Sequence, residues 1–403
     1  MDTAERVGTR VAGARKARRW TQRELADRAH VSYSLVTKVE SGHAAASPAF
    51  IGAIARALRV DVPRITGQPY EEPGRGRSAR LLRTVDSLRS ALDRWDAPSE
   101  DTPPRAVADL AADVQHVSDL GRAANYVAIG ETLPALLDDL SVAVHSASES
   151  EQPRLYALLA EAYSGASSIA NLLGLLDLRD RVVDRIDNAS QASDEPLRPL
   201  RVRWQRSASM MAGANYATAL ALMERTRREL GDDPAAMDLP TLSLYGSLHL
   251  RSAILSARAA KTEGAGLARQ AWEHIDAARD VADLMGMDRD DMGLAFGPSN
   301  VAQHEVSVAV ELEEGAEAVK RGRATRLGAT VPTSRRGHFS IDLARGYYLN
   351  GDNHGALRAL QQARRVAPQQ VRHHPMVRET ALAIAANSRG SEELTALLSW
   401  LGM

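Results

Sequence analysis

The chain has 403 residues, 44% hydrophobic and 25% charged, a balance that excludes bulk disorder and leaves room for two or three domains with real cores. It has no cysteine, which excludes disulfides, thiolate metal sites and a cysteine nucleophile. The net charge of −1 hides an asymmetry: residues 1–66 carry twelve basic against six acidic side chains, the pattern of a small basic module facing a polyanion on a mildly acidic body.

Apolar residues recur at spacings of three and four along almost the whole chain, and no stretch alternates for the length of a strand, so the expected fold is all-α. Val7, Val11 and Ala14 line one face of a first helix, with Arg10, Arg15, Lys16, Arg18 and Arg19 largely outside it. Thr21 and Glu24 have the spacing of a capping box, which starts a second helix at Gln22 with Leu25, Ala26 and Ala29 turned inward. His30-Val31-Ser32 interrupts it. Ser32 caps a third helix with Leu35, Val36 and Val39 inside, and Gly42 suits the left-handed residue that ends it. Ser47 and Pro48 open a fourth helix carrying Ile51, Ile54, Ala55 and Leu58, and Val62 and Ile65 begin a fifth.

Two prolines and three glycines between Gly67 and Ser78 break any helix and mark a boundary that would serve as a hinge. Gly74, Gly76 and Ala79 there fit a dinucleotide-binding pattern, but no strand precedes them and the segment reads as a linker. Leu81, Val85, Leu88, Leu92 and Trp95 then form an amphipathic stripe, for which packing on the body and a dimer contact are both open. A second break runs from Asp96 to Pro104, and helices follow to the C-terminus. The expected partition is a five-helix head at 1–68, a linker with connecting helix at 69–104, and a helical body at 105–403.

The run Thr21-Gln22-x-Glu24-Leu25-Ala26, Val31-Ser32, Val36-x-x-Val39-Glu40-x-Gly42 and Ser47-Pro48 with Ile51-x-x-Ile54-Ala55-x-Ala57-Leu58 resembles the XRE, or lambda-repressor-like, helix-turn-helix domain. The resemblance implies that the third helix enters the major groove of double-stranded DNA. On this sequence Gln22 would touch the backbone, and Tyr33, Ser34, Thr37 and Lys38, with Ser32 at the helix start, would face base edges. Lys38 is the foremost specificity residue. Arg18 and Arg23 fall to phosphates, as do Arg10 and Arg15 unless these two are simply solvated. Two departures stand out: His30 replaces the usual turn glycine, and the loop from Gly42 to Ser47 lacks an arginine that often follows the recognition helix.

In the body, Leu343-Ala344, Tyr347, Gly351-Asp352-Asn353, Ala356, Leu360, Ala363 and Pro368 resemble a tetratricopeptide repeat, with weaker copies at Ser207 to Met223 and at Ala160 to Asp177. A five-helix head followed by a TPR-like α-solenoid is therefore expected, with first helices lining a groove. Polar stripes suited to that groove are Asn300, His304, Ser307 and Glu311 after Phe296, then Tyr163, Ser167 and Asn171, and finally Arg372, His373, His374 and Arg378. The candidate ligand contacts are Tyr163, Asn171, Phe296, Asn300, His304, Arg372 and His373.

His304-Glu305 lacks the second histidine of a zinc protease, and no nucleophile elbow or phosphate loop is present, so neither an enzyme nor a metal or other cofactor is expected. Asp138-Asp139 and Asp290-Asp291 read as solvated. No apolar run reaches the roughly 18 residues that cross a bilayer and the first 30 residues are charged throughout, which predicts a cytoplasmic chain without membrane contact. The Asn188-Ala189-Ser190 sequon is then accidental. Similar bacterial regulators, peptide-sensing quorum regulators among them, imply a homodimer on a palindromic operator that responds to a small molecule or peptide. The alternative is a DNA-tethered scaffold whose groove holds a protein partner.

Overall fold

A computed structural model describes residues 6–70, 77–98, 101–387 and 391–403. Gly74 and Gly76, and the centre of the break between Asp96 and Pro104, lie outside the described residues. The fold is all-α, and the β geometry among the described residues is an isolated bridge between Arg289 and Phe296.

The head consists of α1 (Val7–Ala17), α2 (Gln22–Ala29), α3 (Tyr33–Glu40), α4 (Pro48–Leu58) and α5 (Val62–Thr66). Its boundaries are set by capping. The Glu24 N–H donates to the Thr21 hydroxyl at 3.2 Å while the Thr21 N–H donates to the Glu24 carboxylate at 2.7 Å. Leu35 and Phe50 donate their N–H groups to the Ser32 and Ser47 hydroxyls at 3.1 and 3.2 Å. His30 takes the left-handed conformation at φ 53°, where a glycine would cost about 1 kcal/mol less. Glycine is required at position 8 for another reason. A β-carbon there would stand 2.0 Å from the Val39 carbonyl oxygen, so α1 lies directly against the backbone of α3.

Next come α6 (Arg77–Asp93), α7 (Val107–Arg122), α8 (Tyr126–Ser146), α9 (Gln152–Leu173), α10 (Leu176–Gln191) and α11 (Leu197–Ala212). They are followed by α12 (Tyr216–Leu230), α13 (Leu239–Ala259), α14 (Gly266–Met285), α15 (Pro298–Glu311), α16 (Gly315–Ala324), α17 (Thr333–Leu349), α18 (Asn353–Val366), α19 (Pro368–His373), α20 (Pro375–Asn387) and α21 (Glu392–Leu401). These helices group into two compact units that cut across chain order: residues 69–209 with 332–334 form one, and the head, 210–331 and 335–403 form the other.

In the unit of residues 69–209, α6 packs on α8 and buries Leu81, Val85, Leu88 and Leu92. Arg80 to Glu131 at 2.6 Å and Arg94 to Asp138 at 2.7 Å flank that seam. Of the two readings of the connecting stripe, packing on the chain's own body is the one realised. Asp138 and Asp139 are paired with Arg94 and Arg105 rather than merely solvated.

In the other unit the helices from α12 to α16 each pack on the next, with α13 also on α15, giving a repeat-like succession. The turn between α17 and α18 follows the sequence closely: Gly351 is left-handed at φ 79°, Asp352 accepts the Gly355 N–H at 2.7 Å, and Ala344, Ala356 and Ala363 are buried. Pro368 does more than stop α18, since it opens α19.

The apolar residues of the head share one continuous core with Ile341, Leu357, Leu360, Val371, Met376, Val377, Leu394, Leu397 and Leu401. Polar ties accompany it: Gln68 Nε2 donates to the His373 carbonyl at 3.3 Å, and Arg56 Nη1 to the Ala214 carbonyl at 2.9 Å. The head is thus built into one unit with the C-terminal helices, and the chain leaves that unit at Gln68–Pro69, inside the boundary expected between Gly67 and Ser78.

A Gly8→Ala variant is expected to lose about 1–3 kcal/mol of stability, the cost of overpacking against backbone that has no flexible side chain to move aside. Chemical denaturation measures this, and an unchanged midpoint would contradict the close approach of α1 and α3.

Candidate nucleic-acid interface

The outer face of α3 is open. Tyr33 is 48% exposed, and Ser32, Ser34 and Lys38 are exposed beside it. Arg23, from α2, holds its guanidinium 5.5 Å from the Tyr33 ring centroid, a cation–π contact at the start of α3. Arg18 is exposed and lies 5.6 Å from the Trp20 ring centroid, with Arg28 at 4.5 Å on the same ring. The structure therefore leaves Arg23, Ser32, Tyr33, Ser34 and Lys38 on the exposed surface of the two-helix motif, with Arg18 exposed at the end of α1.

Gln22 and Thr37 are less free. Gln22 Nε2 donates to Glu40 at 2.9 Å, and the Thr37 hydroxyl lies within bonding distance of Gln22 Oε1 at 3.2 Å and of the Tyr33 carbonyl at 3.1 Å. Both are half-buried. Their side chains join α2 to α3 and leave only part of each available to a ligand.

Glu40 is the centre of that network. Arg15 grips it through Nε at 2.7 Å and Nη2 at 2.8 Å, and donates a third bond to the Trp20 carbonyl at 2.6 Å. The two side chains are 11% and 6% exposed. Arg15 is therefore neither a phosphate contact nor a solvated charge; its guanidinium is consumed inside the head by a bidentate pair. Burial pushes the Glu40 carboxyl up, but the bonds from Arg15 and Gln22 and the charges of Arg15 and Lys16 outweigh it and hold the group below the usual carboxylate range. Arg10 is also drawn inward, packing its guanidinium over Gly67.

One cation escaped the sequence reading. Arg6 lies over Gly42, its Nη1 2.7 Å from where a β-carbon of that residue would be, and Gly42 is left-handed at φ 78°. An arginine therefore does stand at the end of the recognition helix, supplied by the residue before α1 rather than by the loop from Gly42 to Ser47. Only the docking of α1 on α3 could have revealed it.

The seven candidate ligand residues are dispersed. Tyr163 and Asn171 belong to the unit of residues 69–209, where Tyr163 is buried, its hydroxyl pushed up to about 12 by desolvation, and Asn171 is exposed. The other five belong to the head's unit. Phe296 is fully buried against Gly246, where any β-carbon would collide with its ring, so it is a packing residue. Arg372 stacks 4.8 Å from the Trp400 ring centroid and bonds the Trp400 carbonyl, and His373 is buried. Asn300 and His304 do lie together, one turn apart on α15, with the ring nitrogen Nδ1 of His304 2.9 Å from the Asn300 carbonyl.

Residues 12–65 match a family model described as helix-turn-helix, and with the capped α2–turn–α3 geometry this makes the head an XRE-like helix-turn-helix domain. No curated protein and no solved structure gives a match to the chain. Among the described residues no helix is long and apolar enough to cross a membrane, and no group of three or more His, Asp or Glu is placed to hold a metal ion.

The depressed Glu40 ionisation makes stability pH-dependent. A group whose folded pKa lies below its unfolded value, about 4.3 for glutamate, stabilises the fold above that value and ceases to do so as pH falls through the folded pKa. Glu40→Gln is expected to cost about 1.5–3 kcal/mol near neutrality, the range for hydrogen bonds to charged groups, with the deficit relative to wild type narrowing below about pH 4. Urea midpoints across pH test it; a constant deficit would show that the charge of Glu40 contributes nothing.

Proposed function

We propose that this protein is a sequence-specific DNA-binding transcription regulator whose body, residues 105–403, senses a small molecule or peptide and mediates dimerisation, with residues 1–68 as the reading domain. The observation that carries the reading is the exposed outer face of α3, with Tyr33, Ser34 and Lys38 presented by a helix whose start is capped and whose inner face is buried. A lysine offers two donors to the acceptors of guanine, a serine hydroxyl pairs with either type of group, and an aromatic ring lies against a thymine methyl. Arg6, Arg18 and Arg23 would neutralise phosphates on either side, setting affinity and register.

Two copies related by a two-fold axis would read a palindrome whose half-sites are about 34 Å apart or a multiple of that. The shared core of the head and the C-terminal helices supports coupling between effector and DNA, because a shift of α19 or α20 would carry the head with it through Gln68 and the loop before α4. An effector changes operator occupancy only by its difference in affinity for the two arrangements.

Lys38→Ala is expected to relax preference at one position of each half-site. Arg18→Ala should weaken all sequences alike and reduce the slope of log affinity against log salt by about one. Selection from a random duplex pool followed by anisotropy titrations reads both. Equal losses on selected and random duplexes for the two variants would overturn the division of roles, and no preference for any duplex would overturn the regulator reading.

A further inference from the structure

The backbone that leaves the recognition helix is accounted for bond by bond. Gly42 donates its N–H to the Val39 carbonyl at 3.0 Å, and His43 and Ala44 donate theirs to the Lys38 carbonyl at 2.8 and 3.1 Å, so the start of the loop wraps the end of α3. The loop then turns inward. Ala46, 1% exposed, enters the core that the head shares with Val377, Ala381 and Ile384 of α20. An N–H buried with such a residue has to find an acceptor. The Ala46 N–H donates to Glu379 Oε2 of α20 at 3.4 Å, a partner 333 positions further along the chain. Ala44 and Tyr348 of α17 pack against the same core. Burial pushes the Tyr348 hydroxyl up, against the bonds it takes from the Ala45 backbone and from Asn387 at 3.4 Å.

The same carboxylate serves the start of α1. Arg6, the residue before that helix, makes no capping bond with its side chain, and the first turn holds no acid, so the positive end of the helix is not compensated from within α1. Glu379 is 9% exposed. Burial pushes its carboxyl up, while the N–H groups of Ala46 and Val7 and the charge of Arg6 pull it down. Arg6 itself is exposed, with its Nη1 lying 2.7 Å from where a β-carbon of Gly42 would stand. The loop after α3 and the opening of α1 are therefore joined twice, by Arg6 across the surface and by Glu379 from below.

We infer that Glu379 is a positioning residue for DNA binding: by holding the Ala46 N–H it fixes the loop after the recognition helix, and that loop is the seat from which Arg6 reaches a phosphate. A guanidinium has five N–H donors in a planar fork, so one edge can rest on the loop while another meets the nucleic acid. Arg6 touches DNA, and Glu379 acts through it. With the seat loosened, the long arginine side chain must be ordered at the moment of binding, which costs affinity without removing the contact outright. The inference rests on the DNA-reading function proposed above and states how one of its phosphate contacts is held by a helix near the other end of the chain.

Anisotropy titrations of the full chain test this on a duplex selected from a random pool and on random duplex, each at several salt concentrations, with Arg6→Ala, Glu379→Ala and the double variant. Arg6→Ala is expected to weaken binding to both duplexes alike, roughly tenfold for one charged contact, and to reduce the slope of log affinity against log salt by about one. Glu379→Ala should show part of both effects, an affinity loss of about threefold for ordering one long side chain, and the double variant should bind no more weakly than Arg6→Ala. A destabilised fold alone would lower affinity without changing the salt slope and would do so equally in both backgrounds. If Glu379→Ala does not fold, as judged by circular dichroism, Glu379→Gln takes its place. Its amide oxygen still accepts the Ala46 N–H but the charge beside Arg6 is gone, and the same dependence on Arg6 is expected. Wild-type affinity in the folded variant, losses that add in the double variant, or tighter binding once Glu379 is replaced overturns the inference. A wild-type chain that distinguishes no duplex from random competitor overturns the DNA reading itself, whereas selective binding with additive losses removes the role of Glu379 and leaves the DNA reader standing.

Discussion

The recognition helix depends on one buried carboxylate. Glu40, the last residue of α3, receives Arg15 from α1 and Gln22 from α2, so a single side chain ties together three of the head's five helices. Val36 and Val39 bury the inner face of α3, and the polar network adds a directional contact at its end. The bidentate guanidinium, the Ser32 cap and the close seat of α1 together hold the helix that carries Tyr33, Ser34 and Lys38. The close seat of α1 at Gly8 belongs to the same constraint: it brings Arg15 within reach of Glu40 and Arg6 to the far end of α3.

Much of the head was legible in its sequence because capping is local. Thr21, Ser32 and Ser47 each satisfy an N–H three residues ahead, and such pairs can be read without knowing the tertiary fold. What could not be read depends on residues distant in the chain. Arg15 and Glu40 are 25 positions apart, and nothing in either neighbourhood distinguishes Arg15 from the exposed Arg18. The contribution of Arg6 was hidden for the same reason. In the body, the helical hairpin around Gly351 was visible from its turn chemistry, whereas the grouping of helices into two units was not, because it depends on which apolar faces find each other over more than 300 residues.

The candidate effector residues divide along the same line. Asn300 and His304 were recognisable as neighbours from helical spacing alone, and they do adjoin. Phe296 was drawn in by proximity in sequence, but its ring fills the space that Gly246 leaves open and belongs to the core.

The carboxylate of Glu379, on α20, sits against the backbone of the loop between α3 and α4, where it takes the Ala46 N–H at 3.4 Å and is pushed up by burial. A reading head sealed in this way is not portable. Grafted alone onto a foreign body, it would expose a raw apolar flank and lose an interior carboxyl that no surface residue replaces. Substitutions at Glu379 and in the Gly42–Ser47 loop therefore act on one and the same buried contact.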